Sequence, residues 1–150
     1  MLCGGSCFLW DCYNTNDMVN GPPKKKVIMV IEDEPEIIGP YREYLEVEGF
    51  QVEMVTTGSV AMSRIRRMLR GDEEIPQVII LDLLLLDISG LAILETIRKE
   101  SAFDGTFVVI FTNYQSQNLK KTTEEIHRVK YLLKANTSPT DLVGIIKESI

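Results

Sequence analysis

Residues 76–90 read PQVIILDLLLLDISG, in which an aliphatic run precedes Asp82 and a second apolar run follows it. An unbroken aliphatic run of this length is typical of a strand that is buried on both faces. Asp82 stands directly after the first run, and Gly90 opens the next helical pattern. The segment therefore predicts an interior strand of a parallel sheet with a carboxylate at its carboxyl end.

The chain on both sides of this segment alternates between short apolar runs and amphipathic helical patterns. We predict strands at residues 27–31, 51–55, 78–81, 107–111 and 131–133. We predict helices at residues 35–48, 59–70, 90–100, 116–128 and 139–150. Five strand–helix units favour an α/β fold, namely a doubly wound five-stranded parallel sheet in the flavodoxin-like order 2-1-3-4-5.

The predicted helices differ in how apolar their inward faces are. The inward faces of the first two comprise Ile37, Tyr41, Tyr44, Leu45 and Glu48 in the first helix and Ala61, Ile65, Met68 and Leu69 in the second. The fourth helix is polar, and Leu119 and Ile126 are its apolar anchors. We therefore expect the fourth helix to have low local stability.

The first 26 residues have neither a helical nor a strand period, and they contain the three cysteines of the chain, Cys3, Cys7 and Cys12. They also lack the basic start and the sustained apolar core of a signal peptide. We expect residues 1–26 to be a disordered or non-native N-terminal tail and residues 27–150 to be the folded domain. The alternative is a functional thiol, metal or lipid site in the tail.

The composition argues against several classes of function. The chain has a net charge of −6, whereas contacts with nucleic-acid phosphates need a clustered basic surface, so we expect no nucleic-acid binding. No apolar run approaches the roughly 20 residues that a membrane span needs, so we expect no membrane partner. The domain itself is free of cysteine, which suits a reducing cytoplasm, and we expect a cytoplasmic protein.

Polar residues are scarce in the predicted strands, and those at the strand ends share one location. They are Glu32 and Asp33 after the first strand, Asp82 after the third, Thr112 after the fourth and Lys134 after the fifth. The carboxyl ends of neighbouring parallel strands meet at one edge of the sheet, where ligands bind in such folds. We therefore expect three carboxylates, one hydroxyl and one ammonium group in a single crevice.

Three carboxylates at close range repel one another unless a proton or a cation intervenes. A hard divalent cation with oxygen ligands, of which Mg²⁺ is the first choice, removes that repulsion. The ammonium group and the hydroxyl that face the same crevice are donors for an anion. Together these groups suit phosphoryl transfer, which depends mainly on positioning and charge neutralisation.

Four segments at these strand ends resemble segments of the receiver domain of two-component response regulators. VIMVIEDEP at residues 27–35 resembles the first strand with its acidic pair, and residues 76–90 resemble the phosphoacceptor segment. FVVIFTN at residues 107–113 resembles the strand that ends in a switch threonine or serine. YLLKANTSPTDL at residues 131–142 resembles the segment that carries the lysine of the family. The resemblance covers about residues 27–150.

The resemblance implies a role for each polar residue of the crevice. Asp82 would be the phosphoacceptor nucleophile, and Thr112 and Lys134 would bind phosphoryl oxygens. The ligands of Mg²⁺ would be Glu32, Asp33, Asp82 and the backbone carbonyl of Leu84. Tyr131 would be the aromatic residue that changes rotamer as Thr112 moves toward the phosphate.

The resemblance also implies a signalling function rather than enzymatic turnover of another molecule. A histidine kinase or a histidine phosphotransfer protein would donate a phosphoryl group to Asp82, and hydrolysis would later remove it. Phosphorylation would switch the face formed by the fourth helix, the fifth strand and the fifth helix. A partner protein, or a second copy of the chain in a homodimer, would bind there.

Several positions depart from the usual pattern of the family without removing a charged group of the site, among them His127 and Arg128, which replace a frequent Gly-Ala pair before the fifth strand. Ala135 stands where a proline commonly follows the lysine, and Leu86 replaces another common proline. Asn113 stands where the family usually has a small residue after the switch threonine. We therefore expect an active receiver.

Two further functional classes are alternatives. A haloacid-dehalogenase-like phosphatase also uses an aspartate after an apolar strand, but it needs a second acid two positions later, where this chain has Leu84. A flavodoxin-like flavin binder needs a hydroxyl-rich and glycine-rich phosphate loop, where this chain has three acidic residues at 32–34. His127 and Lys130 fit the HxxK motif of histidine phosphotransfer modules, but those modules resemble four-helix bundles, so we interpret His127 as a surface residue.

Overall fold

A computed structural model of the chain describes residues 23–150. The expectations for residues 1–22, including the disordered tail and any site at its cysteines, concern residues outside this described part. Within residues 23–150, no helix is both long enough and apolar enough to span a membrane.

Strands and helices alternate along the described chain as the sequence predicts. The strands are β1 (Val27–Ile31), β2 (Gln51–Val55), β3 (Val78–Leu81), β4 (Phe107–Thr112) and β5 (Val129–Leu133). The helices are α1 (Pro35–Val47), α2 (Gly58–Leu69), α3 (Gly90–Lys99), α4 (Gln117–Glu124) and α5 (Pro139–Ser149), with single 3-10 turns at Ser101–Phe103 and Lys134–Asn136. The strands form one parallel sheet in the order β2-β1-β3-β4-β5, which confirms the predicted fold.

Helices cover both faces of the sheet. Successive residues of a strand point to opposite faces, so Met29 and Ile79 belong to one core while Ile28 and Ile80 belong to the other. Helices α2, α3 and α4 pack on the first core, and α1 and α5 pack on the second. The interior strands β1, β3 and β4 are buried along their whole length, which explains their unbroken apolar sequences.

The two edge strands carry charged residues instead. Glu53 of β2 forms an ion pair with Arg64 of α2. Lys130 of β5 is exposed, and its Nζ lies 3.9 Å from a carboxylate oxygen of Glu124. The charged positions therefore mark where the sheet ends.

Helix α4 is shorter than predicted: it ends at Glu124 rather than at residue 128. A turn follows, in which Arg128 has a positive φ of 56°. Strand β5 begins at Val129 rather than at residue 131, because Val129 already pairs with Val108 in the sheet. The other predicted helix and strand ends differ from the observed ones by no more than one residue.

Some residues that we assigned to inward helix faces point outward. Helix α1 buries Ile38 rather than Ile37, and Tyr44 is 51% exposed. Ile38 and Leu45 are seven residues apart, which is two helical turns, so they share the buried stripe and Tyr44 lies beside it. Leu69 at the end of α2 is 38% exposed.

Candidate functional site

The backbone of the sheet places the predicted site residues at one edge. Glu32 and Asp82 are the first residues beyond the paired ends of β1 and β3, where Ile31 and Leu81 are partners. The Asp82 amide donates to the Ile31 carbonyl at 3.0 Å, which holds the two strand ends together. Lys134 follows β5 directly, and its side chain crosses the edge of the sheet toward β1 and β3.

Lys134 joins two of the carboxylates. Its Nζ lies 2.5 Å from Oε2 of Glu32 and 2.8 Å from Oδ2 of Asp82, and all three side chains are buried. Burial alone would lower the pKa of Lys134, but the hydrogen bonds to Asp82 and Glu32 outweigh it and raise the pKa above its usual range. The ammonium group is therefore charged at neutral pH. The described residues contain only trans peptide bonds, so the bond between Lys134 and Ala135 is trans. Lys134 contacts both carboxylates with this bond in the trans form.

Asp82 is held as a carboxylate. Burial alone would raise its pKa, but the hydrogen bond from Lys134 and the bond from the Leu84 amide to Oδ1, at 3.1 Å, lower the pKa below its ordinary value. The Thr112 hydroxyl adds to this lowering. The described structure therefore presents Asp82 ionised and oriented at the edge of the sheet, as a nucleophile requires.

The pKa of Glu32 shifts in the opposite direction to that of Asp82, although both carboxyl groups lie in the same environment. Burial raises the pKa of Glu32 above its ordinary value, and the nearby charge of Asp82 adds to the rise, although Lys134 opposes it. The Glu34 amide donates to Oε1 of Glu32 at 3.2 Å, which fixes the carboxyl group in place. The two buried carboxyl groups thus share one lysine but differ in how readily they give up a proton.

Three carboxylates converge as a potential cation site. Oxygen atoms of Glu32, Asp33 and Asp82 all lie within 4.8 Å of one another. Asp33 is half-buried while the other two are buried, so the cluster opens to solvent on the side of Asp33. An all-oxygen donor set with net negative charge fits Mg²⁺. The residues that the structure brings together are therefore those expected from the sequence, and the part played by the Leu84 carbonyl stays a prediction.

Thr112 and Tyr131 meet at a residue that the sequence did not single out. The Tyr114 amide donates to the Thr112 hydroxyl oxygen at 3.2 Å, and the Tyr131 hydroxyl donates to the Tyr114 carbonyl. Thr112 and Tyr131 are both buried. The peptide groups of Tyr114 therefore connect the hydroxyl that faces Asp82 with the aromatic ring on β5. No sequence signal marks this link, because it is made by backbone atoms.

His127 lies exposed in the turn between α4 and β5. Its position agrees with the interpretation as a surface residue.

Comparisons with known proteins point to one family. A model of the response regulator receiver domain matches residues 28–147. The transcriptional regulatory protein KdpE of Mycobacterium tuberculosis is 39% identical over 72 residues, which make up 48% of this chain and 29% of that protein. The match therefore spans less than a third of that relative's length.

Solved structures share the architecture along most of the chain. A CheY-like response regulator receiver domain protein from Methanospirillum hungatei JF-1 is 26% identical, with a TM-score of 0.70 and coverage of 83% of this chain and 93% of that one. The chemotaxis response regulator CheY4 of Vibrio cholerae also has a TM-score of 0.70, covering 85% of this chain and all of its own, at 18% identity. The second likeness shows the fold alone.

Proposed function

The chain belongs to the response regulator receiver domain family of two-component systems, and we propose that it accepts a phosphoryl group on Asp82. Receiver domains are regulatory rather than enzymes that turn over a substrate. In this proposal the donor is a phosphohistidine on a histidine kinase or a histidine phosphotransfer protein, and the protein acts in the cytoplasm. The pairing of Asp82 with Lys134 at 2.8 Å, in a crevice with two more carboxylates, is the observation that carries the proposal.

The proposed reaction is a displacement at phosphorus. An oxygen of Asp82 attacks, a new O–P bond forms, and the P–N bond to the donor imidazole breaks, with its electron pair leaving on the imidazole. In this proposal the Lys134 ammonium, which pairs with Asp82, and the Thr112 hydroxyl would offset charge on the phosphoryl oxygens, because stabilising that charge supplies most of the catalysis at such sites. Glu32, Asp33 and Asp82, with the Leu84 carbonyl, would hold Mg²⁺, which supplies further positive charge.

The proposed output is a change in the face formed by α4, β5 and α5. When the Thr112 hydroxyl turns toward a phosphoryl oxygen, it gives up the hydrogen bond from the Tyr114 amide. The Tyr131 hydroxyl is bonded to the carbonyl of the same residue, so a shift of Tyr114 reaches β5 directly. We propose that this population shift tightens binding of a partner, or of a second copy of the chain, at the α4–β5–α5 face.

The phosphatase alternative receives less support from the described residues. The second acid that such an enzyme needs would stand at position 84, where the chain has an exposed leucine. Steady turnover of a generic phosphomonoester such as p-nitrophenyl phosphate would favour the phosphatase, whereas a single covalent labelling event favours the receiver.

The decisive experiment uses acetyl phosphate with Mg²⁺ and intact-mass measurement. We expect the mass to rise by one phosphoryl group in the wild type and in Asp72→Asn, a control at an exposed aspartate that pairs with Arg70. Asp82→Asn removes the attacking carboxylate, so it should show no added mass. Equal labelling of Asp82→Asn and the wild type would refute the assignment.

A further inference from the structure

The loop between β3 and α3, residues 82–90, begins at the proposed phosphoacceptor and is closed tightly at its far end. The Gly90 amide donates to the Leu83 carbonyl at 3.2 Å. A Cβ atom on Gly90 would lie 2.2 Å from the Asp82 carbonyl oxygen and 2.7 Å from the Leu83 Cα. Only glycine fits this approach, so the start of α3 presses directly against the backbone of Asp82.

Asp87 fastens the middle of this loop to another element. Its Oδ1 accepts a hydrogen bond from the Gly58 amide and its Oδ2 accepts one from the Ser59 amide, both at 2.8 Å. These amides belong to the first turn of α2, where backbone donors have no partner within the helix. Asp87 also accepts from the Ile88 amide at 2.9 Å. One carboxylate therefore binds two helix amides and one amide of its own loop.

The contact between the loop and α2 is close enough to restrict the residue at the helix start. A Cβ atom on Gly58 would lie 2.8 Å from the Ile88 Cβ and 3.0 Å from Oδ1 of Asp87. The hydrogen bonds from Ser59 and Gly58 hold the pKa of Asp87 well below its usual range. The carboxylate is therefore ionised at neutral pH, and it can accept all three amide hydrogen bonds there.

Apolar packing holds part of the loop, because Leu85 and Ile88 are partly buried and pack against the first core. Leu84 is 56% exposed and Leu86 is 94% exposed. Leu83 is buried, but it lies next to Asp82 at the start of the loop. The polar contacts of Asp87 add a second, directional attachment of this loop to the first turn of α2.

Helix α2 is in turn joined to the other side of the crevice. It follows β2, and the Glu32 amide donates to the carbonyl of Val55, the last residue of β2, at 3.0 Å. Asp87 therefore connects the loop that carries Asp82 and Leu84 to the strands that carry Glu32 and Asp33.

We propose that Asp87 is a positioning residue, which fixes the Asp82–Leu84 backbone relative to Glu32 and Asp33 and so sets the affinity of the crevice for Mg²⁺. This inference rests on the proposed function, because it assigns a purpose to the same crevice. Asp87 touches neither the phosphoryl group nor the metal in this account. It acts through the backbone of its loop.

The test separates binding of the metal from the rate of phosphorylation. The initial rate of labelling by acetyl phosphate is measured against Mg²⁺ concentration, and the Leu84 amide is followed by NMR during a Mg²⁺ titration without phosphodonor. We expect Asp87→Ala to raise the half-saturating Mg²⁺ concentration about ten-fold, because at least two charge-assisted hydrogen bonds are lost, with a much smaller change in maximal rate. Asp87→Asn keeps one acceptor oxygen and should lie in between.

The matched control is Asp141→Ala. Asp141 is also an exposed carboxylate at a helix start, where it accepts from the Ser138 amide at 2.9 Å and completes the capping box of α5. Its loss should lower the melting temperature about as much as the loss of Asp87, while the Mg²⁺ dependence stays that of the wild type. Gly58→Ala perturbs the same contact from the helix side and should also raise the half-saturating concentration.

Several results would overturn the proposal. One is an Asp87→Ala chain that melts lower but responds to Mg²⁺ as the wild type does, since Asp87 would then be a helix cap and no more. Another is an equal loss of Mg²⁺ affinity in Asp141→Ala. If Asp87→Ala fails to fold, Asp87→Asn and Gly58→Ala decide by the same criterion.

The outcomes also distinguish this inference from the proposed function. A wild type that takes no phosphate at Asp82 refutes the function, while the shift of the Leu84 amide with Mg²⁺ still decides the role of Asp87. A Leu84 amide that does not respond to Mg²⁺ in the wild type counts against the inference even if Asp82 is phosphorylated.

Discussion

Helices α3 and α4 pack on the same face of the sheet, but they are attached to it very differently. Helix α3 buries Ile93, Leu94 and Ile97. The buried residue of α4 is Thr123, the apolar Leu119 of the same helix is only partly buried, and Ile126, also partly buried, lies in the turn beyond the helix. Fully burying an aliphatic side chain contributes about 1.5–3 kcal/mol, so α3 is held by several such contributions and α4 by a fraction of one.

This difference separates two regions. The fixed region comprises α3 and the strand ends that carry the site, and the movable region comprises α4 and the segment around Tyr114 that leads into it. The carboxylates and Lys134 stand at the ends of β1, β3 and β5, and α3 presses on the backbone of Asp82 through Gly90. Tyr114, whose peptide groups bind Thr112 and Tyr131, lies in the segment that leads into α4. The segment that can respond to the site is therefore the one whose rearrangement costs least.

The largest expected effect contrasts one core residue from each helix. Ile97→Ala should destabilise the protein by about 2–5 kcal/mol, because it opens a cavity in a fully packed core. Leu119→Ala should cost about 1 kcal/mol or less, because its side chain is only partly buried. Urea unfolding of both variants measures the two values. Leu86→Ala, at a leucine that is 94% exposed, is the control and should leave stability unchanged. Equal losses in Ile97→Ala and Leu119→Ala would break the comparison.

A smaller effect is expected from Mg²⁺, which acts on the fixed region. Metal at about ten times its dissociation constant should add about 1.4 kcal/mol of stability, because it relieves the repulsion among Glu32, Asp33 and Asp82. A thermal melt should shift upward in the wild type and in Leu119→Ala alike. Asp33→Ala should show no shift, whereas Asp72→Ala should behave as the wild type. An undiminished shift in Asp33→Ala would place the metal elsewhere.

The smallest effect is a local one in the movable region. Beryllofluoride, which mimics an acyl phosphate, should change amide-exchange rates in α4 and β5 by a few-fold while the amides of α3 stay unchanged. Thr112→Ala should abolish the response of these segments while Asp82 still accepts phosphate, because the hydroxyl that accepts from the Tyr114 amide is gone. Changes confined to α1 and α2 would contradict the proposed direction of the response.

The sequence predicts most of this structure because its signals are local and redundant. Unbroken aliphatic runs mark β1, β3 and β4, which are buried on both faces, and the parallel topology then brings the residues after them to one edge. The order of the strands is enough to group the polar residues at their ends, namely Glu32, Asp33, Asp82, Thr112 and Lys134.

The parts that were mispredicted or missed depend on tertiary contacts. The end of α4 is set by the pairing of Val129 with Val108, which overrides a helical pattern that continues to residue 128. Tyr114 acts through its peptide groups, and any residue can supply those. The sequence indicates Asp87 only as a solvent-facing cap and does not identify the helix that it caps, because its partners are amides of α2 that lie 28 and 29 residues away.

The charged edge strands have a consequence for how copies of this chain can associate. A sheet with an uncovered edge invites another strand to add to it, which leads to open-ended aggregation. A strand added at β2 would lie beside the charged Glu53, and a strand added at β5 would lie beside the exposed Lys130. Charged side chains at both edges disfavour strand addition and leave helical surfaces as the route to a closed assembly of limited size.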